Sequence, residues 1–305
     1  MGRIITWLTV TLLLIALLVY CLGGFGNMGI HLGINTYNYD DGATYSASSS
    51  FTVDSIRALD IDWVSGNIKV LLHEGDAFEV SESTQENTHE SLMLHYRLDG
   101  NKLVIKYAED GVRIPSGLSK DITILIPSDA VPLLSFNSET VASSVEMQGV
   151  SINEIEGDSI SGSFAFTDCT IDTLDLSSTS GSIYIDGALA DVECETVSGD
   201  IKILNKNPEI TKIELVCDSV SGDISIVSDK LLDGSITLDT VSGDCKIECS
   251  EFLNGFTARF DTASGDISCE HPTTDSDEKH LNGDGTFKIA VNTVSGDLEI
   301  GNVDQ

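Results

Sequence analysis

The chain is poor in positive charge. It carries 16 Lys and Arg against 49 Asp and Glu over 305 residues, a formal net charge of −33. That balance excludes binding to nucleic acid or to an anionic surface through charge attraction alone. Cationic partners, metal ions or simple solubility fit it better. Proline is scarce, with five residues, and tryptophan scarcer, with two. No Ser-His-Asp constellation, zinc-ligand spacing, phosphate-cradling loop, EF-hand loop or nonapeptide calcium-roll pattern is visible, so the sequence offers no singular catalytic centre. The seven cysteines do not form a disulfide framework. Cys21 lies in an apolar run, while Cys194, Cys217 and Cys245 stand where neighbouring repeats carry Leu, Phe, Val or Ile, as small core hydrophobes do. A bridge between stacked Cys194 and Cys217 is the alternative.

Only one long uncharged apolar run occurs, residues 4–22. Nineteen helical residues span about 28 Å, close to the hydrocarbon thickness of a bilayer. Arg3 precedes the run, and Asp40 and Asp41 are the first charges after it. The positive-inside rule therefore predicts a single-pass signal anchor with a cytoplasmic N-terminus and an extracellular ectodomain. A cleaved signal peptide is the rival, but no A-x-A site follows. A lipoprotein site at Cys21 is opposed by Tyr20 beside it.

What the chain has in abundance is one sentence, repeated. It reads TVSGDIKI at 196–203, SVSGDISI at 219–226, TVSGDCKI at 240–247, TASGDISC at 262–269 and TVSGDLEI at 293–300. Looser copies are WVSGNIKV at 63–70, SISGSFAF at 159–166 and STSGSIYI at 178–185, and a copy without glycine, TVASSVEM, stands at 140–147. From Gly162 onward the motif glycines are spaced by 19, 18, 23, 21, 22 and 31 residues. A unit of that size cannot bury its own core, so copies must stack. Ile213, Leu215 and Cys217 alternate with Glu214, Val216 and Asp218, and Ile224 and Ile226 follow the motif with Ser225 between them. Period-two alternation predicts strand, turn, strand. The whole reads as an all-β chain, a parallel β-solenoid with rungs of about 20 residues.

Within each rung the glycine is expected to supply a positive φ in the bend, and Ser and Asp to bond nearby backbone. The Val or Ala two residues before the glycine is expected to tuck under the corner. Register then puts Asp200, Asp223, Asp244, Asp266 and Asp297 in one column. Unit charges about 5 Å apart in water repel by roughly 0.8 kcal/mol, which a charge-assisted hydrogen bond of about 1.5–3 kcal/mol offsets. The column needs no cofactor. A weakly held divalent cation or a partner is the functional alternative at that edge.

The expected organisation is an anchor at 1–24, a flexible stalk at 25–50, an irregular β capping region at 51–130 and β-solenoid repeats at 131–305. The last copy ends at Ile300, five residues from the terminus, which leaves the C-terminal end of the stack little cover. The departure at 270–286 holds His271, Asp275, Asp277, Glu278 and His280, a set of residue types that can bind metal but without a diagnostic ligand spacing; it reads as a solvated loop, or as a cap folded over that end.

An anchor, an irregular β region, the bridge ILIPSDAVPLLSF at 124–136 and tandem T-V-S-G-D-I-x-I rungs together resemble the bacterial putative adhesin family, over about 51–300. That family is a domain of unknown function on the envelope of many Gram-positive bacteria, and some members are LiaG-like proteins linked to envelope-stress operons. The resemblance implies a β-helix-like fold and carries over no catalytic residue. Three function classes follow. The first is a non-catalytic cell-surface binding or structural module whose partner is an envelope component. The second is an accessory of envelope-stress sensing that contacts a membrane regulatory protein. The third is an enzyme acting on polysaccharide, opposed by carboxylates that recur at equivalent places instead of converging.

Overall fold

Rungs form because apolar residues occupy every second position on either side of a glycine corner. The computed structural model describes residues 36–39, 42–85, 88–206, 212–273, 275–276, 280–282 and 285–303. The anchor expected at 4–22 lies outside them; among the described residues no helix is long and apolar enough to cross a membrane. Each rung is a first strand, a corner and a second strand, and both strands pair in parallel with their counterparts in adjacent rungs. One interior ladder runs Leu176, Cys194, Cys217, Leu238, Val291, Phe260. A second runs Phe166, Ile185, Ile203, Ile226, Ile247, Ile300, Cys269. Nearly all of these side chains are fully buried. The cysteines thus sit in the core ladders, as small hydrophobes would. Cys194 stacks on Cys217 in register, and both thiols are free.

Rungs do not stack in sequence order at either end. Ala58–His73, with its corner at Gly66, is a regular rung, and Leu133–Gln148 lies directly on it in register from Ser135 to Gln148. Beneath it lie Lys102–Lys106 and Asp121–Pro127, also parallel. Those two are covered in turn by antiparallel His95–Asp99 and Phe78–Ser83. The 51–130 region is therefore a mixed cap that contains two parallel rungs.

At the C-terminal end, Asp233–Ser242 pairs with Phe287–Ser295, and Phe287–Ser295 pairs on its other side with Phe256–Ser264. Cys245–Phe252 likewise pairs with Leu298–Gly301, which pairs with Ile267–Cys269. The last rung in sequence is thus intercalated, and the 256–269 rung forms the end of the stack. This corrects the expectation that the final copy is terminal. Packing explains the order. Phe287, Ile289, Val291, Leu298 and Ile300 are all buried between two rungs, whereas the end rung tolerates half-buried Ile267 and Cys269 and an exposed Ala263. The 270–286 excursion carries the chain back and caps part of that end. His280–Asn282 runs antiparallel on Thr257–Arg259, and His271 bonds the Gly301 carbonyl at 3.1 Å. Asp277 and Glu278 lie outside the described residues.

Part of the segment expected as a stalk is packed down instead. Thr36–Tyr37 pairs with Val112–Arg113 and Ser46–Ala47 with residues of His95–Asp99. Tyr37 is fully buried, and its hydroxyl accepts the Tyr107 N–H at 3.1 Å. Aromatic side chains in a segment without periodicity are what dock it.

Candidate functional site: the corner column and the acidic face

The motif glycine is required by the rung beneath it. A Cβ on Gly222 would lie 2.0 Å from the Gly199 carbonyl oxygen, and one on Gly243 would lie 2.1 Å from that of Gly222. The same contact recurs at Gly162, Gly181, Gly199, Gly265 and Gly296. Gly66, with φ +115°, would meet the Lys120 carbonyl at 2.0 Å. Most motif glycines after Gly66 lie outside the left-handed region or at its extended limit, as at Gly199 (φ 157°) and Gly222 (φ 156°). The expectation of a positive-φ bend is therefore replaced at these corners by close backbone approach, the other physical reason for glycine.

The corner's apolar residue also differs from expectation. Val197, Val220, Val241 and Val294 are only half-buried, while the residues before them, Thr196, Ser219, Thr240 and Thr293, are buried. Thr196 donates its hydroxyl to the Gly181 carbonyl at 3.2 Å, and Ser178 to that of Gly162 at 3.1 Å. At these two corners the buried hydroxyl satisfies a carbonyl of the rung beneath, whereas Ser219 Oγ, Thr240 Oγ1 and Thr293 Oγ1 are buried without a hydrogen-bond partner.

The five predicted aspartates do come together in one column, in the order Asp200, Asp223, Asp244, Asp297, Asp266. Each carboxylate accepts the backbone N–H of the next aspartate: Asp223 to Asp200 at 3.0 Å, and Asp244 to Asp223, Asp297 to Asp244 and Asp266 to Asp297 at 2.8 Å each. Serine continues the ladder in the looser copies. Asp200 N–H donates to Ser182 Oγ at 3.2 Å and Ser182 N–H to Ser163 Oγ at 3.2 Å. The bonds cross between rungs and do not close within the bend. Charge-assisted bonds of this kind offset the repulsion along the column.

A second acidic column runs beside it, and sequence reading that begins each repeat at Thr misses it. Four residues before each motif glycine, or its serine counterpart Ser143, stand Asp62, Glu139, Asp158, Ser177, Glu195, Asp218, Asp239, Asn292 and Asp261, paired in register from rung to rung. The signal was in the repeat itself, which reads D/E-T-V-S-G-D. These side chains face outward on the first strand but are largely half-buried between rungs. Cations and amides hold the ends: Lys106 pairs with Asp62, Asn292 Nδ2 donates to Asp239 at 2.6 Å, and Arg259 reaches Asp261 at 2.6 Å. In the middle, Glu139 Oε2 and Asp218 Oδ1 are closed off from solvent without a hydrogen-bond donor.

The electrostatics follow from that placement. At an effective dielectric near 20, charges about 5 Å apart repel by roughly 3 kcal/mol, four times the value in water. Burial, then Asp62 and Asp158, push Glu139 up to about 7. Burial, then Asp239 and Glu195, push Asp218 up to about 7. Glu195 is raised by burial and by Glu193, Asp175 and Asp158, and Asp175 by burial. Asp60, Asn137, Glu156, Asp175 and Glu193 form a further outward row on the same face. Among the described residues, no group of three or more His, Cys, Asp or Glu is placed to hold a metal ion.

The chain is thus a parallel stack with glycine corners, closed at the N-terminal end by a mixed cap. Residues 56–301 match the family described as Toastrack DUF4097. The chain belongs to the Toastrack DUF4097 family. Several solved structures are similar to this chain at low identity. A putative adhesin from Bacteroides fragilis is 13% identical with a TM-score of 0.50, covering 82% of this chain and 95% of its own. A putative lipid binding protein from Parabacteroides distasonis is 13% identical (TM-score 0.39, 82% and 95% covered). A putative adhesin from Parabacteroides merdae is 12% identical (TM-score 0.31, 85% and 96% covered). No curated protein matches the chain. The Toastrack match begins at Ile56 and ends at Gly301, so it takes in the cap rungs, the regular stack and the intercalated last rung.

Proposed function

We propose that this Toastrack protein is a non-catalytic module of the cell surface that presents a rigid acidic face to a cationic partner in the envelope. The observation that carries the reading is the half-buried carboxylate column through Glu139, Glu195 and Asp218, held at fixed spacing by the ladder. Burial, and then like charge, raises the proton affinity of these carboxylates, and a cationic group docked along the column is stabilised by several of them at once. Carboxylates repeated at equivalent rung positions bind along a line; a hydrolase needs one singular pair. The description of the Bacteroides fragilis neighbour as a putative adhesin is in keeping with this reading. In it the 4–22 run holds the protein in the cell membrane with the stack outside. The test is cross-linking in cells from cysteines placed at Glu156 and Asp175, on the outward row. Recovery of a wall polymer or surface ligand supports the module. Recovery of a membrane histidine kinase moves the assignment to envelope sensing. Release of reducing ends from wall glycans by the purified protein would overturn the non-catalytic reading.

A further inference from the structure

Interior corners are stitched to the corner above by the same three bonds. The motif glycine donates its N–H to the upper serine carbonyl, as Gly222 does to Ser242 at 3.2 Å and Gly296 to Ser264 at 3.2 Å. The residue after the aspartate donates to the upper aspartate carbonyl, as Cys245 does to Asp297 at 2.9 Å and Leu298 to Asp266 at 3.0 Å. The aspartate carboxylate accepts the upper aspartate N–H, as in Asp266 to Asp297 at 2.8 Å. At the end rung the corresponding groups are the N–H of Gly265, the N–H of Ile267 and the carboxylate of Asp266. No described residue meets any of them. Side-chain cover is missing at the same place. Ile267 and Cys269 are half-exposed, whereas Leu298 and Ile300 directly beneath them are fully buried. The other half of this rung is covered by antiparallel His280–Asn282, and both halves of the opposite end of the stack are covered by antiparallel strands. Proteins normally blunt sheet edges, and here three half-edges out of four are blunted.

We infer that the open half-rung at Ile267–Cys269 is a strand-addition site for an extended, basic, glycine-containing segment of another protein, laid parallel on the stack. The direction and the three backbone bonds are those of every rung beneath it. Glycine is required because each corner residue sits with its Cβ position about 2 Å from the carbonyl oxygen of the corner below, 1.9 Å for Gly265 over Gly296 and 2.0 Å for Gly296 over Gly243. A residue stacked over Gly265 meets the same restriction. Alternate apolar side chains would seal Ile267 and Cys269. The charge of the segment is set by its surroundings. Asp266, Asp297 and Glu270 flank the half-rung, and the guanidinium of Arg259, on the same rung, is already paired with Asp261. A second copy, with a formal charge of −33, would bring acid to acid.

The experiment titrates the full chain into a fluorescein-labelled peptide, Lys-Val-Ser-Gly-Lys-Val-Lys-Val-Lys, and into the same peptide with Ala for Gly, followed by fluorescence anisotropy. The glycine peptide is expected to bind saturably and at least tenfold more tightly than the alanine peptide. Asp266→Ala in the protein is expected to weaken the glycine peptide by a similar factor. It leaves the urea midpoint unchanged, because the backbone N–H of residue 266 still donates to Asp297. Equal affinity for the two peptides would mean diffuse attraction to the acidic face and overturns the site, as does a total absence of binding. The comparison of the two peptides on the unaltered chain stays decisive even if Asp266→Ala lowers the midpoint.

Discussion

Replacing Gly243 by alanine separates two reasons for a recurrent corner glycine, because its φ lies outside the left-handed region while its space is closed. The added Cβ would lie 2.1 Å from the Gly222 carbonyl oxygen and 2.7 Å from its carbon. An ordinary contact is more than 3 Å, so the rungs must part by about 1 Å at this corner. Three bonds hold them there: Gly222 to Ser242 at 3.2 Å, Ile224 to Asp244 at 2.9 Å and Asp244 to Asp223 at 2.8 Å. An opening of that size takes all three beyond hydrogen-bond length. At about 1 kcal/mol for each neutral bond and about 2 for the charged one, the cost is about 4 kcal/mol. The comparison is Gly100→Ala. Gly100 has φ +62° with nothing within 4 Å of an added Cβ, so only the left-handed penalty of about 1–2 kcal/mol applies, partly offset in the unfolded chain. Urea unfolding followed by far-UV circular dichroism gives both values. A Gly100→Ala loss equal to or larger than that of Gly243→Ala would refute the close-approach account of the motif.

Other consequences are open to the same kind of measurement. Glu139 and Asp218 are raised to about 7 in the folded state, against roughly 4 when unfolded, so between those values the folded chain holds more protons. Stability contributed by these two groups is then present at pH 5 and lost as pH rises through 7. After discounting for partial exposure, the free energy of urea unfolding at pH 5 should exceed that at pH 8 by about 1–2 kcal/mol, and Glu139→Gln with Asp218→Asn should remove much of the difference, leaving the smaller share of Glu195 and Asp175. Lys120 is fully buried beside Glu82 at 2.5 Å and over the Tyr107 ring at 4.1 Å, and burial lowers it to about 8 despite Glu82. Lys120→Met leaves a buried carboxylate alone and should cost about 3–5 kcal/mol; Lys120→Met with Glu82→Gln should recover much of it, and an equally unstable double variant would count against the pairing. Rung order is testable by disulfides. Cysteines at Ser242 and Ser295 face each other across one rung spacing of about 4.8 Å, within disulfide reach. Ser242 and Ser264 are separated by two spacings, so a 242–264 bridge found by mass spectrometry would contradict the intercalation.

Much of this architecture is legible because a repeat states its register many times over. The alternation around Gly222 fixes which residues point inward, and Cys194 and Cys217 fall where Leu and Val stand elsewhere. What sequence spacing cannot carry is the difference between neighbours in the chain and neighbours in the stack. The corners at 240–247, 262–269 and 293–300 are nearly interchangeable in their local bonds. Their order is decided by how well Leu298 and Ile300, against Ile267 and Cys269, tolerate the end of the stack, a tertiary choice. The corner aspartates were legible because they sit inside the repeated word. The column at Glu139, Glu195 and Asp218 lay one residue outside it, and its half-burial depends on rungs above and below. Tyr37 was read as stalk because a single docked strand of two residues has no periodicity to display.

The intercalated rung also limits how the stack can grow. An array that ends on its last repeat can be lengthened by appending another copy, and gene duplication extends many repeat proteins in that way. Here Leu298–Gly301 is enclosed between Cys245–Phe252 and Ile267–Cys269, so a repeat added after Gly301 would emerge beside the stack and find no rung to continue. Growth by duplication is confined to the segment upstream of Phe252. During synthesis, the slot between the 233–252 rung and the 256–269 rung stays empty until residues 287–301 have left the ribosome. A chain cut short between Cys269 and Phe287 lacks the rung that belongs in its interior.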